Sequence, residues 1–273
     1  MKWEVLEGVG DIGRRWEVNG GRGQTAVVGF TKPGTAGPAR LGASQIADNR
    51  GTITRPMAEP VTIPISIFEV TIRYERPLIR LLVERADIIQ ALFDSFAEFE
   101  PNADDLEVLS AGKTTEQGIR LRLASEKITL FFGAAYCKFS KEEPAWPEAD
   151  SLFSRLERFL SILTKCSGVV LGKRTSVLSL HLQLRTASFK DILRPFIDTG
   201  IRKLDSAPLK AMALVARWPD YRITLDGSAQ LANGIFVQME REFDATASYE
   251  HMKEHIFADE VAVLKLLGVE VEA

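Results

Sequence analysis

The sequence predicts an α+β protein whose ordered part is two tandem βαβββα units, each an antiparallel sheet covered on one face by helices. Two observations carry this prediction. Segments of alternating apolar and polar residues, typical of half-buried strands, are interspersed with segments whose apolar residues recur at helical spacing. The order strand, helix, three strands, helix then occurs twice, at residues 57–168 and 169–273.

The first unit begins with a strand within residues 61–74, bounded by Pro60 and Pro77. A helix is predicted over residues 78–99. Three short strands follow it, at Leu106–Leu109, Gly118–Ala124 and Lys127–Phe132. The unit ends in a helix over residues 151–166, with Asp150 as its N-cap and Gly168 at its C-terminal cap.

The second unit begins with a long strand, or a pair of strands, over Val169–Leu184, followed by a short helix at Phe189–Ile197. Turn residues then separate three strands, at Leu209–Arg217, Tyr221–Leu225 and Gly234–Phe243. The last helix is predicted over residues 248–267, with Ser248 as its N-cap.

Residues 1–56 differ from the remainder because they contain 11 of the 20 glycines and show no amphipathic helical period. Ordering so many glycines costs conformational entropy, and the segment has little apolar area to offset that cost. The sequence therefore predicts a poorly ordered extension, with a small glycine-rich hairpin as the alternative. A second hypothesis is a misassigned start, since MAEPVTIPISIFEV at Met57 resembles a natural beginning.

Composition indicates a globular protein, with 45% apolar and 26% charged residues and a net charge of −3. The sequence contains no apolar stretch long enough to span a bilayer, and its start lacks a signal-peptide pattern, so we expect a cytoplasmic protein without membrane contact. Cys137 and Cys166 lie in apolar runs and are predicted to be buried free thiols. A nucleophilic thiol assisted by His181 is the less favoured alternative. We expect no cofactor.

One segment is basic: residues 169–222 carry a net charge of +6, against −7 for residues 223–273. Its clustered basic side chains are Lys173, Arg174, Arg185, Lys190, Arg194, Arg202 and Lys203. They are candidates for a nucleic-acid or acidic-partner surface. The favoured alternative is compensation by the acidic residues of the same unit.

His251 and His255 are four residues apart on the last predicted helix, so their side chains share one face and form a candidate metal site. The motif HMKEH lacks the glutamate position of HExxH. Two histidines are also too few ligands for a closed site, so helix-surface residues are the favoured interpretation.

Two passages, IFEVTIRYERPL from Ile67 and GIFVQMEREFDATASYEHMKEHIF from Gly234, resemble a sporadically distributed family of uncharacterised bacterial α+β proteins. The resemblance implies a bacterial cytoplasmic protein and carries no site residue. The order of elements is also similar to the duplicated fold of the TATA-box-binding protein and to helix-grip ligand carriers, but a fold does not determine a function.

Three classes of function follow. The favoured one is a non-enzymatic interaction protein that binds a protein partner or itself, in a bacterial defence or toxin–antitoxin context, because no catalytic motif is found. A nucleic-acid-binding protein that uses the basic residues 173–203 is the first alternative. A small-ligand carrier or metal-dependent enzyme is the second, and a pocket between helix and sheet would favour it.

Overall fold

A computed structural model describes residues 14–20, 24–30, 58–77, 85–110, 117–196 and 212–272. In this part of the chain the protein is mixed α and β, with one large and almost entirely antiparallel sheet and four helices. The strands are β1 (Arg14–Gly20), β2 (Gln24–Phe30), β3 (Glu59–Tyr74), β4 (Leu106–Leu109), β5 (Gly118–Leu123), β6 (Ile128–Gly133), β7 (Tyr136–Glu142), β8 (Leu171–Leu184), β9 (Met212–Arg217), β10 (Tyr221–Gly227), β11 (Gly234–Phe243) and β12 (Val269–Val271). The helices are α1 (Ala86–Ser95), α2 (Ala149–Ser167), α3 (Phe189–Leu193) and α4 (Tyr249–Leu267).

The strands form a single sheet in the order β2-β1-β9-β10-β11-β8-β3-β7-β6-β5-β4, and β12 pairs in parallel with the start of β3. The sequence predicted two separate sheets, whereas β3 and β8 pair directly and join the two halves. The pairing places Phe68 opposite Leu178, both almost fully buried. One continuous sheet therefore lets the helices of both halves cover the same face.

The first half has four strands after α1 rather than the predicted three. The additional strand is β7, which pairs with both β3 and β6. In the second half the described elements run β8, α3, β9, β10, β11 and α4, followed by the short β12.

Helices lie on only one side of the sheet among the described residues. On this covered face, Phe68 of β3 packs on Phe153 of α2, with ring centroids 5.8 Å apart. The α2 helix packs between α1 and α4. The opposite face, here called the helix-free face, carries the intervening residues of each strand, such as Glu69 and Val177.

Two predicted helix caps are confirmed and one is wrong. Gly168 ends α2 in the left-handed conformation, with φ of +65°. The Ser248 hydroxyl caps α4 by accepting a hydrogen bond from the N–H of His251. Asp150 is not a cap, because α2 begins at Ala149, two residues before the predicted start, and its N-cap residue is Glu148. The Asp150 carboxylate instead pairs with Lys253 of α4 at 2.7 Å.

In the glycine-rich segment the structure describes an antiparallel hairpin of β1 and β2, and β1 also pairs with β9. The other residues of the 1–56 segment lie outside the described residues. None of the described helices is long and apolar enough to cross a membrane.

Candidate functional site

Lys173 and Arg174, the first two residues of the predicted basic surface, lie on opposite faces of β8. The Lys173 side chain is 71% exposed on the helix-free face, with Nζ 3.8 Å from a Glu242 carboxylate oxygen. Arg174 is 8% exposed on the covered face. Its guanidinium donates to the carbonyl oxygens of Ala245 (2.9 Å) and Ala247 (2.8 Å), in the turn before α4. Arg174 is a structural residue, which corrects its prediction as part of an exposed binding surface.

The remaining described members of the basic segment lie at the other end of β8. Arg185, Lys190 and Arg194 are exposed there, and Arg185 pairs with Glu272. At about 3.3 Å per strand residue, this end lies roughly 40 Å from Lys173. Arg202 and Lys203 lie outside the described residues. The described basic side chains are therefore not brought together into one patch.

His251 and His255 are adjacent on α4, as the helical spacing predicts. Their ring centroids are 4.3 Å apart at an interplanar angle of 79°. Phe243 lies beside both rings, at 6.1 and 6.3 Å. In the described part of the chain, no group of three or more His, Cys, Asp or Glu side chains is placed to hold a metal ion. The pair therefore has no third ligand there, and a structural zinc site takes four.

The two thiols differ in exposure. Cys137 is buried on the covered face of β7, and burial raises the pKa of its thiol to about 12, so it is protonated at neutral pH. Cys166 of α2 is exposed, which corrects the prediction that it is buried. His181 points to the helix-free face of β8. The sheet therefore separates His181 from Cys137, and the thiol–imidazole pair is not formed.

His181 contacts Ser228, a pair that no sequence motif indicates; the His181 Nδ1 and Ser228 Oγ atoms are 2.8 Å apart. Burial lowers the pKa of His181, so the ring is neutral at pH 7 and Nδ1 can accept a hydrogen bond from the Ser228 hydroxyl. The Ser228 oxygen also accepts from the N–H groups of Gln230 and Leu231, each at 3.1 Å. An oxygen that accepts from two backbone N–H groups stabilises a turn. The oxygen of a nucleophile must instead be presented to a substrate, so the contacts of Ser228 are those of a turn residue.

The helix-free face is a broad surface of mixed chemistry. Its centre combines apolar side chains with hydroxyl and amide groups, nearly all of them half-buried. The central members, taken across β7, β3, β8 and β11, are Lys138, Ser140, Ile67, Glu69, Thr71, Thr175, Val177, Ser179, His181, Phe236, Gln238 and Glu240. A surface with scattered apolar groups and little uncompensated charge suits contact with another protein.

Five cations on the helix-free face are paired with carboxylates on neighbouring strands, whereas Arg73 of β3 and Arg217 of β9 have no ion pair among the described residues. Glu69 of β3 pairs with Lys138 of β7, and Glu240 of β11 pairs with Arg222 of β10. Towards the β4 edge the Arg120 guanidinium lies 2.7 Å from a Glu107 carboxylate oxygen. Two further pairs on this face are Arg122–Glu107 and Lys173–Glu242. Most of the positive charge on the face is therefore compensated locally.

A second candidate site lies on the covered face, where a cleft of about 520 Å³ opens between α4 and the β3–β8 pair. Leu178 and Leu180 of β8 form its floor, and Ile63 and Pro64 of β3 line one side. The β3–β8 register shifts between Thr62 and Ile65, because Pro64 has no N–H to donate to the ladder. This β-bulge opens the sheet beneath α4.

The other edge of β3 is interrupted at the same place. β12 pairs with β3 as far as Val61, and β7 pairs with it only from Ile67 onward. Between Val61 and Ile67, no strand among the described residues pairs with this edge of β3. The signal available in the sequence was a pair of prolines, Pro60 and Pro64, inside a strand, since a proline there marks a bulge or an edge.

Two carboxylates border the apolar walls of the cleft. Glu260 lies in the otherwise apolar buried stripe of α4 and is 7% exposed. Glu143 follows β7, and its N–H donates to the carbonyl oxygen of Ser66 at 2.8 Å. A hydrogen bond and the charge of Lys127 lower the Glu143 pKa, so this group is ionised at neutral pH. The Glu143 carboxylate is thus compensated by a cation of the same chain.

Comparison with known proteins yields no matching family model and no matching curated protein.

Proposed function

We propose that this chain is a non-enzymatic interaction protein whose helix-free face is its docking surface, and that the occupant is a second copy of the chain. The observation that carries the proposal is a broad sheet face that no helix of the described residues covers. On this face, apolar side chains lie among charges that are largely compensated by ion pairs. Such a face is complementary to itself, because cations and carboxylates of one copy can meet those of the other across a two-fold axis.

The size of the face supports a stable dimer. The nine strands from β9 to β4 span roughly 38 Å at about 4.8 Å per strand, and their mean length is roughly 28 Å at about 3.3 Å per residue. The resulting area is about 1,100 Å² on each copy, above the roughly 800 Å² per partner of a standard protein interface.

Charge compensation also argues against a polyanion as the occupant. A nucleic acid binds by exchanging its counterions for protein cations, and this requires cations that are not already neutralised. Lys138, Arg222 and Arg120 each have a carboxylate partner on this face. Contact with a protein surface of mixed charge leaves these pairs intact.

Sedimentation velocity tests the proposal. We expect a dimer that dissociates when Val177, at the centre of the face, is changed to arginine. The flanking Glu69 and Glu240 accommodate a cation, so Val177→Arg interferes with docking while leaving the fold intact. The matched control is Val261→Arg, at a residue 50% exposed on α4, which should leave the dimer unchanged.

Two results would overturn the proposal. One is a wild-type chain that stays monomeric at about 100 µM, well above the micromolar upper end expected for interfaces of this size. The other is a Val177→Arg chain that is folded and dimerises as tightly as the wild type.

The duplication of one βαβββα unit is also part of the proposal. Its support is that each half starts with a long strand, of 16 residues in β3 and 14 in β8. Each half also has a helix of 19 residues, α2 or α4, that ends at a glycine in the left-handed conformation. We place the protein in the bacterial cytoplasm, in a defence or toxin–antitoxin assembly, and the genes adjacent to its own would test that context.

A second candidate function, a small-ligand carrier, is favoured by one observation, the cleft between α4 and the sheet. A ligand in this cleft would not overlap with a second copy docked on the helix-free face, because the cleft lies on the covered face.

A further inference from the structure

We infer that the two copies of the proposed dimer are related by a two-fold axis nearly parallel to the strands, and that Arg217 of each copy pairs with Glu142 of the other. This arrangement rests on the proposed function, because it specifies how the helix-free face meets itself. Arg217 and Glu142 are both exposed on this face, and neither has an ion pair among the described residues. They are opposite charges left over on a surface where most cations are compensated.

Arg217 and Glu142 lie on opposite sides of the junction between the two halves, five strand intervals apart. They belong to β9 and β7, the ends of the series β9-β10-β11-β8-β3-β7. The registers place Arg217 in one row across the sheet with Ser140 of β7, and Glu142 lies two residues beyond Ser140. At about 4.8 Å per strand and 3.3 Å per residue, the two charges are separated by roughly 24 Å across the strands and 7 Å along them.

These positions determine where the axis lies. In a two-fold dimer a contact between two different residues occurs twice, so the axis passes midway between them. The midpoint of Arg217 and Glu142 falls between β11 and β8, beside Val177 at the centre of the face. The axis is perpendicular to the line that joins the two charges and is therefore inclined by about 15° to the strands. Strands of the two copies then cross at about 30°, as in the aligned packing of two sheets.

The rest of the face is compatible with this axis. β10 of one copy faces β3 of the other, because these strands lie at equal distances on either side of the axis. Arg222 of β10 therefore lies near Glu69 of the other copy. Stacked sheets are about 10 Å apart, a separation that an arginine and a glutamate side chain bridge together. Rotation about the strand direction also preserves the sheet twist, so the two surfaces stay in contact out to β9 and β7.

Arg73 of β3, the other exposed cation without an ion pair on this face, gives a less favourable arrangement. It lies on the strand next to β7, six residues from Ile67, which pairs with Glu142. Pairing Arg73 with Glu142 would require an axis across the strands, midway between the rows that contain Glu240 and Glu242. These two carboxylates would then face each other between the copies, and opposed like charges weaken an interface.

Exchange of charge between two full-length chains tests the inference. In an Arg217→Glu homodimer both contacts bring two carboxylates together, and in a Glu142→Arg homodimer both bring two guanidinium groups together. Each change should raise the dimer Kd about tenfold, as measured by sedimentation velocity. A mixture of the two variants should form a heterodimer with a Kd within about threefold of the wild type, because each contact then again joins one guanidinium and one carboxylate.

Two matched controls carry the same changes of charge on the covered side of the sheet. Lys190→Glu on α3 and Glu254→Arg on α4 alter exposed residues away from the helix-free face. Both should keep the wild-type Kd, and their mixture should show no preference for the heterodimer. The double variant Arg217→Glu/Glu142→Arg should dimerise as the wild type does, because the pair is reversed and not lost.

The outcomes distinguish this arrangement from the docking surface itself. If Val177→Arg dissociates the dimer but Arg217→Glu leaves its Kd unchanged, the helix-free face is the interface and the inferred orientation is wrong. The orientation is also wrong if the two charge variants show no preference for the heterodimer when they are mixed. A wild-type chain that stays monomeric would overturn both the orientation and the proposed function.

Discussion

Arg174 allows the sharpest test of the structure, because its neighbour Lys173 provides a matched control on the opposite face of β8. We consider leucine at each position. At residue 174 the change removes two hydrogen bonds from a buried guanidinium to the carbonyl oxygens of Ala245 and Ala247. It also removes a cation–π contact, since the guanidinium carbon lies 4.9 Å from the ring centroid of Tyr249.

The magnitude follows from these contacts. Hydrogen bonds that involve a charged group contribute about 1.5–3 kcal/mol each, and a cation–π contact about 0.5–2 kcal/mol. Leucine recovers part of that sum, because an apolar side chain avoids the cost of burying a charge. We therefore expect Arg174→Leu to lower the free energy of unfolding by about 3 kcal/mol. Lys173→Leu should change it by less than about 0.5 kcal/mol, because a surface ion pair contributes little.

Urea denaturation followed by circular dichroism measures both changes. The corresponding fall in Tm for Arg174→Leu is about 6 °C, at roughly 2 °C per kcal/mol for a chain of this length. Equal urea midpoints for Arg174→Leu and the wild type would refute the structural role of the guanidinium. If Arg174→Leu is destabilised as expected, loss of polyanion binding in an Arg174→Glu variant would reflect unfolding and would not indicate a lost phosphate contact.

The remaining predictions concern a buried carboxylate and a glycine. Burial would raise the pKa of Glu59, but hydrogen bonds from the Thr186 side chain and from three backbone N–H groups lower it below its ordinary value of 4.5. Glu59→Gln should therefore cost on the order of 2 kcal/mol at neutral pH. This loss should shrink as pH falls below about 4.5, since protonation then removes the same stabilisation from the wild type; urea midpoints that differ equally at pH 7 and pH 3 would contradict this. Gly118→Ala should destabilise by about 1–3 kcal/mol, because a Cβ there would lie 2.4 Å from the backbone oxygen of Phe132. The control Gly227→Ala meets nothing closer than 3.7 Å, and similar thermal shifts in the two variants would refute the steric argument.

Elements specified by local chemistry were predictable from the sequence. β11 has the predicted bounds, Gly234–Phe243, because its alternation is regular and turn residues precede it. The caps at Gly168 and Ser248 were predictable for the same reason, since a cap depends on a side chain or a backbone conformation within a few residues. In each case the information lies within one turn or strand.

β7 was missed because its connection to β6 lacks turn residues. Ala134 and Ala135 join the two strands, so ITLFFGAAY is one apolar run, in which periodicity does not indicate a boundary. The alternation of apolar Cys137 and Phe139 with polar Lys138 and Ser140 was the available signal. Asp150 was misassigned as a cap because its carboxylate has a partner, Lys253, about a hundred residues away in the chain.

The predicted basic surface failed for a similar reason, as Lys173 and Arg174 show. A strand places adjacent residues on opposite faces, so two consecutive basic residues never contribute to one patch on a sheet. The alternation within β8 could have indicated this, since Arg174 falls in phase with Leu178 and Leu180. What the sequence could not supply was the partner, the pair of carbonyl groups before α4.

The pairing of β3 with β8 is the feature on which both proposed sites depend. Joining the two halves at this pair places all the described helices on one face and leaves the other face continuous across the junction. The same pairing contains the β-bulge at Pro64. The bulge forms because β3 lacks a backbone N–H donor at Pro64, although β3 and β8 pair on both sides of that residue. The proposed docking face is therefore the uninterrupted side of the junction, and the cleft is the place on the covered side where the β3–β8 ladder is interrupted. Long-range strand pairing, rather than any local motif, positions both.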